Sequence, residues 1–241
     1  MVTDNFDMSA RGDQQLAWWN DPAALKEEFD LYQGVRKRIQ AWHSAIYDRI
    51  SRAEMFQVGR QLNMVRDNTF VFDSEEHSAI FMDYLVNFSC PNGTTAIERF
   101  LKAVDLSKDD VDRLAHSALA GLRYAILRPV QPYPGFGAVC EDMLGQQRLF
   151  LMDHGISQTP VDGFAVATAI YPVRQWVITS GAALPLPGQA ANGAISKVFK
   201  AAGLQFSLPF RPSKKEDTAR LVLTLISIFL MSGGLDHIQY R

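Results

Sequence analysis

The stretch RYAILRPVQPYPGFGAVCEDMLGQQRLFLMDHG, Arg123 to Gly155, constrains this chain more than any other feature. Apolar residues there alternate with polar ones, and Pro and Gly break the runs, whereas the segments on both sides carry helical periodicity. The alternation predicts strands at Tyr124–Val130, Gly137–Asp142 and Arg148–Asp153, continued at Phe164–Tyr171 and Trp176–Ser180. Short strands at this spacing either curl into a small SH3-like or OB-like barrel or form a twisted antiparallel sheet against the helices. The expected class is therefore α+β: a helical N-terminal half, a β module, and C-terminal helices closing over it.

The helical half is written in caps and faces. Asn20 or Asp21 caps the first helix with Pro22 in its first turn. Leu25, Phe29, Tyr32, Val35, Ile39, Trp42, Ile46 and Ile50 line one face, with Gly34 a weak point. A second helix is predicted from Arg52 to about Leu62, then a short extended piece at Thr69–Phe72. Asp73 or Ser74 caps the next helix, Thr95 and Glu98 form a capping box, and Ser107 caps a further helix. AALPLPGQAANG reads as a connection, followed by helices at Ala194–Ala202 and Asp217–Met231. The chain divides into a flexible 1–20, a helical 21–122, a β module at 123–187 and C-terminal helices at 188–241, packed as one globular unit.

Composition excludes several classes. The chain has 241 residues, 47% of them hydrophobic, and a net charge of -2, so no global field draws it to nucleic acid or an acidic membrane. Cys90 and Cys140 are too few and too separated for a disulfide scaffold or a thiolate metal cage and read as reduced core thiols. The first residues lack the pattern of a secretory signal, and Leu221 to Met231 is short of the ~20 apolar residues of a membrane span. A cytoplasmic protein is the expectation.

Motifs with a known mechanism fail on their required residues. GQAANGAI places Ala194 and Ile195 where a phosphate loop needs Lys and Ser/Thr, so no nucleotide or other cofactor is expected. A Cys140–His154 dyad is disfavoured by the apolar strand and by Glu141 and Asp142, which raise a thiol pKa. Asp142, Asp153 and His154 remain as acid–base candidates, the last two on a polar loop with Ser157, Thr159 and Asp162. Asp73, Glu76 and His77 are a weak metal set with no second histidine within a turn. His43 and His116 stand alone at helical positions. Arg36, Arg49, Arg52 and Arg60 make the 36–66 span basic, facing acidic helices that neutralise it by packing or leave it to bind RNA or DNA. Phe136 and Trp176 are the aromatic binding candidates of the β module.

TFVFDSEEHSAIFMDYLVNFSCPNGTTAIERFL, the β segment above and VITSGAALPL resemble a pattern in uncharacterised bacterial proteins. A similar region precedes the SEC-C zinc motif in longer proteins, but no cysteine follows Cys140 here, so the zinc hook does not transfer. The resemblance implies this architecture and no established activity. With no reactive constellation, the expected function is a non-enzymatic interaction protein that uses the β module as its platform and binds another protein or its own copy. Trp18, Trp19 and the apolar last helix favour self-association. A hydrolase-like or metal-dependent enzyme and an RNA- or DNA-binding protein are the alternatives.

Overall fold

The computed structural model describes residues 18–106, 109–158, 163–187 and 191–231. The helical half contains α1 (Pro22–Tyr47), α2 (Arg52–Gln61), a hairpin of β1 (Val65–Arg66) and β2 (Thr69–Phe70), α3 (Glu75–Asn87), α4 (Ala96–Ala103) and α5 (Asp110–Ala120). The β module is β3 (Arg123–Tyr133), β4 (Gly137–Asp142), β5 (Gln147–Met152), a short α6 (His154–Gln158), β6 (Phe164–Val173) and β7 (Trp176–Pro187). Two C-terminal helices follow, α7 (Ala191–Ala201) and α8 (Lys215–Met231). No helix among the described residues is long and apolar enough to cross a membrane.

The five long strands close into a barrel in the order β3-β4-β5-β7-β6, with β6 pairing back to β3. All pairings are antiparallel except β5 with β7, which meet in parallel at Phe150–Trp176 and Leu151–Val177. Alternation sorts the side chains. Ala125, Leu127, Ala138, Cys140, Leu149, Leu151, Val166, Ile170 and Val177 pack together inside the barrel. Their strand neighbours Tyr124, Ile126, Val139, Phe150, Met152, Tyr171, Trp176 and Ile178 point outward and share one core with the helices. Register shifts at Pro129/Gln131 and Thr168/Ile170 supply the local bends that closure needs.

The local grammar of the sequence holds at most helix ends. Asp21 caps α1, Ser74 caps α3, and Thr95 with Glu98 forms the capping box of α4. Ser107 lies outside the described residues; the cap of α5 is Asp109, whose side chain accepts from Val111 N–H. α1 runs unbroken through Gly34, because that glycine sits against Val111 of α5.

The segment AALPLP is strand, not connection. It is the second half of β7 and pairs with β6 from Thr168–Ala183 to Phe164–Pro187. Gly181, at φ +99°, turns the strand, and the Ala182 carbonyl accepts from Thr168 Oγ1 at 2.7 Å. Pairing with β5 ends at Val177, so Pro185 and Pro187 have an unladdered side on which a missing N–H costs nothing.

Candidate functional site

Two of the residue groups singled out by sequence have other work. Asp142 and Asp153 sit at opposite ends of the β4–β5 hairpin, about 20 Å apart at the usual strand rise. The Asp142 carboxylate is fully buried, ion-paired with Arg123, and accepts the N–H groups of Leu144 and Gly145 in the turn. Asp153 accepts from Ile156 N–H at 3.0 Å and Thr179 Oγ1 at 3.3 Å, and lies 3.9 Å from Arg36. His154 meets the Gly135 carbonyl through Nδ1 at 3.4 Å and Gln158 through Nε2 at 2.9 Å. Ser157, buried, ties the same turn through Gly135 N–H and the His154 carbonyl. Thr159 and Asp162 lie outside the described residues. These groups brace the two ends of the barrel and do not converge. Cys140 faces the barrel interior, where burial pushes its thiol up to about 12.

The Asp73, Glu76 and His77 set is likewise spent locally. Asp73 N–H donates to His77 Nδ1 at 3.2 Å, and Glu76 is half-buried with its carboxyl lowered by the Ser74 hydroxyl. Among the described residues no three His, Cys, Asp or Glu side chains come together in a metal-holding group. Phe136 packs edge-on against Phe29. Trp176 is 1% exposed and donates Nε1–H to Glu28 at 2.7 Å, so its ring is core. Trp18 and Trp19 pack on Phe150, and the apolar face of α8 is buried within the chain.

The basic span separates into two parts. Arg36 turns to Tyr32 and Asp153, and Arg38 pairs with Asp109 and Asp112 of α5, which is the neutralisation the charge pattern allowed. Arg49, Arg52 and Arg60 behave differently. Nine arginines have a carboxylate within 4.0 Å: Arg36, Arg38, Arg99, Arg113, Arg123, Arg128, Arg148, Arg174 and Arg220. Five have none among the described residues: Arg211, ahead of α8, and Arg49, Arg52, Arg60 and Arg66, which lie just past α1, on α2 or on β1.

Helical spacing builds this surface. Residues 52, 56 and 60 are four apart on α2, so Arg52 and Arg60 flank the Phe56 ring at 5.3 and 5.8 Å. Arg49 lies 5.5 Å over Phe100 of α4. The β1–β2 hairpin brings Phe70 to 4.7 Å from Phe56 and Asn68 to Arg60. Glu54 points away to Arg99 at 3.0 Å and does not neutralise the group. Two open hollows result, both lined by Arg52, Phe56 and Asn68. One, of about 490 Å³, adds Ile50, Met55 and Phe70; the other, of about 580 Å³, adds Arg60. Neither is lined by a carboxylate, histidine or cysteine, so the lining supplies guanidinium donors and apolar contact and no proton-transfer group. The 52-56-60 spacing was visible in the sequence; the hairpin's arrival beside it was not.

A family profile matches residues 26–202, from α1 to the end of α7, and so takes in both the barrel and the arginine surface. The chain belongs to DUF7986. That is a family of unknown function. No curated protein and no solved structure matches the chain.

Proposed function

We propose that this DUF7986 member is a non-enzymatic cytosolic binding protein that docks an acidic, apolar-containing protein segment on the Arg49–Arg52–Arg60 surface. The barrel, covered by helices over most of its outer face, serves as the rigid support rather than the platform. The observation that carries the reading is the cluster of carboxylate-free arginines around Phe56, in a chain whose other arginines are mostly paired. A guanidinium stacked on a ring is pre-organised and keeps its edge N–H groups for a carboxylate. The Ile50, Met55 and Phe70 floor suits an aliphatic or aromatic side chain next to that carboxylate. Both cysteines are free thiols, in keeping with a reducing compartment.

The test is fluorescence anisotropy with two labelled probes: a peptide alternating Glu with Leu and Phe, and a single-stranded RNA of similar charge. The peptide is expected to bind in the micromolar range, weakening with salt. The Arg52→Glu/Arg60→Glu variant is expected to lose at least ~10-fold in affinity while its melting temperature stays near wild type, since exposed cation–π contacts contribute only ~0.5–1 kcal/mol each. RNA binding without peptide binding transfers the surface to nucleic acid. Binding of neither probe removes the reading.

A further inference from the structure

His43, set aside in the sequence as an isolated helical histidine, ends a continuous hydrogen-bond chain across the seam between the helices and the barrel. Its Nε2 lies 3.1 Å from Tyr171 Oη, Tyr171 Oη–H donates to Asn87 Oδ1 at 3.0 Å, and Asn87 Nδ2–H donates to Asp83 Oδ1 at 2.7 Å. The directions run from the Asp83 end. With Asn87 Nδ2–H given to the carboxyl, the Asn87 oxygen faces Tyr171, the phenol proton goes to Asn87, and His43 in this arrangement donates Nε2–H. Asn87 is 1% exposed and Tyr171 is fully buried.

Asp83 is the anomalous member. It lies on α3 with its carboxyl toward the barrel, where Tyr124 of β3, Tyr171 of β6 and Ser180 of β7 face it. His43 of α1 is reached only through Tyr171. No lysine, arginine or histidine among the described residues comes within 4.0 Å of it. Ser180 Oγ is buried and has no other hydrogen-bond partner. Asp83 is half-buried, and when ionised it is a charge at the seam that has the Asn87 amide and the Ser180 hydroxyl as its donors and no counter-ion. A neutral one still accepts from Asn87 and has a proton to direct toward Ser180.

We propose that Asp83 is a proton-operated latch between α3 and the barrel: neutral, it completes the Ser180–Asp83–Asn87–Tyr171–His43 chain; ionised, it leaves an unpaired charge in the seam and loosens the helices from the barrel. Burial pushes the Asp83 carboxyl up to about 7, against smaller opposing contributions from Ser180 and Asn87, and burial lowers His43 to about 4. The signs follow from linkage. Asp83 holds its proton more tightly folded than unfolded, so its contribution to stability is complete below pH ~4 and is lost as pH rises to about 7. His43 holds its proton less tightly folded, so its contribution is present above its ordinary value and is lost as pH falls from 6.5 toward about 4. In wild type the two trends oppose each other, and each becomes visible when the other residue is replaced.

The experiment is urea unfolding between pH ~4 and ~8 for wild type, Asp83→Asn and His43→Gln. Expected is a wild-type-to-Asp83→Asn ratio of unfolding constants that rises up to tenfold per pH unit to about pH 7 and then levels. The corresponding ratio for His43→Gln is expected to fall with pH over its own window. A pH-independent Asp83→Asn ratio overturns the proposal. Should Asp83→Asn not fold, infrared spectroscopy of wild type decides: a protonated-carboxyl C=O band present at pH ~6 and lost through neutrality supports the latch, and its absence at pH ~6 overturns it.

Discussion

Gly34 and Gly137 show how differently one residue type is used. A Cβ added at Gly34 would meet only the Val111 methyls, at 3.7 and 3.9 Å, in ordinary contact. Gly34→Ala is therefore expected to raise stability by about 0.5–1 kcal/mol in chemical denaturation, from backbone entropy and helix propensity. At Gly137 the same atom would stand 1.9 Å from the Leu151 carbonyl oxygen. Gly137→Ala is expected to lower stability by about 3 kcal/mol, because β4 must move away from β5. Sequence flagged Gly34 as a helix weak point and passed over Gly137; neighbours far along the chain decide both. Asp142 makes the same point, since its partner Arg123 is nineteen residues away in sequence and its carboxylate serves the fold instead of proton transfer.

At the scale of elements, what could be read ahead was what lies within four residues. The Thr95–Glu98 box is local, and both of its hydrogen bonds are present, at 3.2 and 2.9 Å. Thr95→Ala is expected to cost about 1 kcal/mol, measured by urea midpoint, with the fold unchanged. Glu98 also pairs with Lys215 of α8, so the cap doubles as a tie to the C-terminal helix that no local pattern announces. The second half of β7 departs from the sequence expectation for a physical reason: two prolines and a glycine argue against a strand flanked on both sides, but beyond Val177 this strand has a ladder only toward β6.

For the whole molecule, barrel closure turns the outer strand faces into core. β6 is buried along nearly all its length, with α5 packed over it, and Tyr171 carries the polar contact between layers. Tyr171→Phe keeps the ring and removes the hydroxyl, leaving the His43 N–H and the Asn87 carbonyl without this partner. It is expected to lower stability by about 1–3 kcal/mol by denaturant midpoint, and to leave affinity for the acidic peptide unchanged, since the arginine surface is built on other elements.

From its sequence alone this chain was bound to be helices around a small β module, because periodicity, caps and turn residues act over three or four positions. The strand starts at Gly137, Phe164 and Trp176 were already legible there. Only the tertiary structure decided that the module closes into a barrel, that the acidic residues of its loops become braces, and that Arg52, Phe56 and Arg60 gain Phe70 beside them. It also joined His43, Asp83 and Tyr171. Those outcomes depend on which distant side chains share the desolvated space, and the energies of buried charges and hydrogen bonds are set by that space, not by neighbours along the chain.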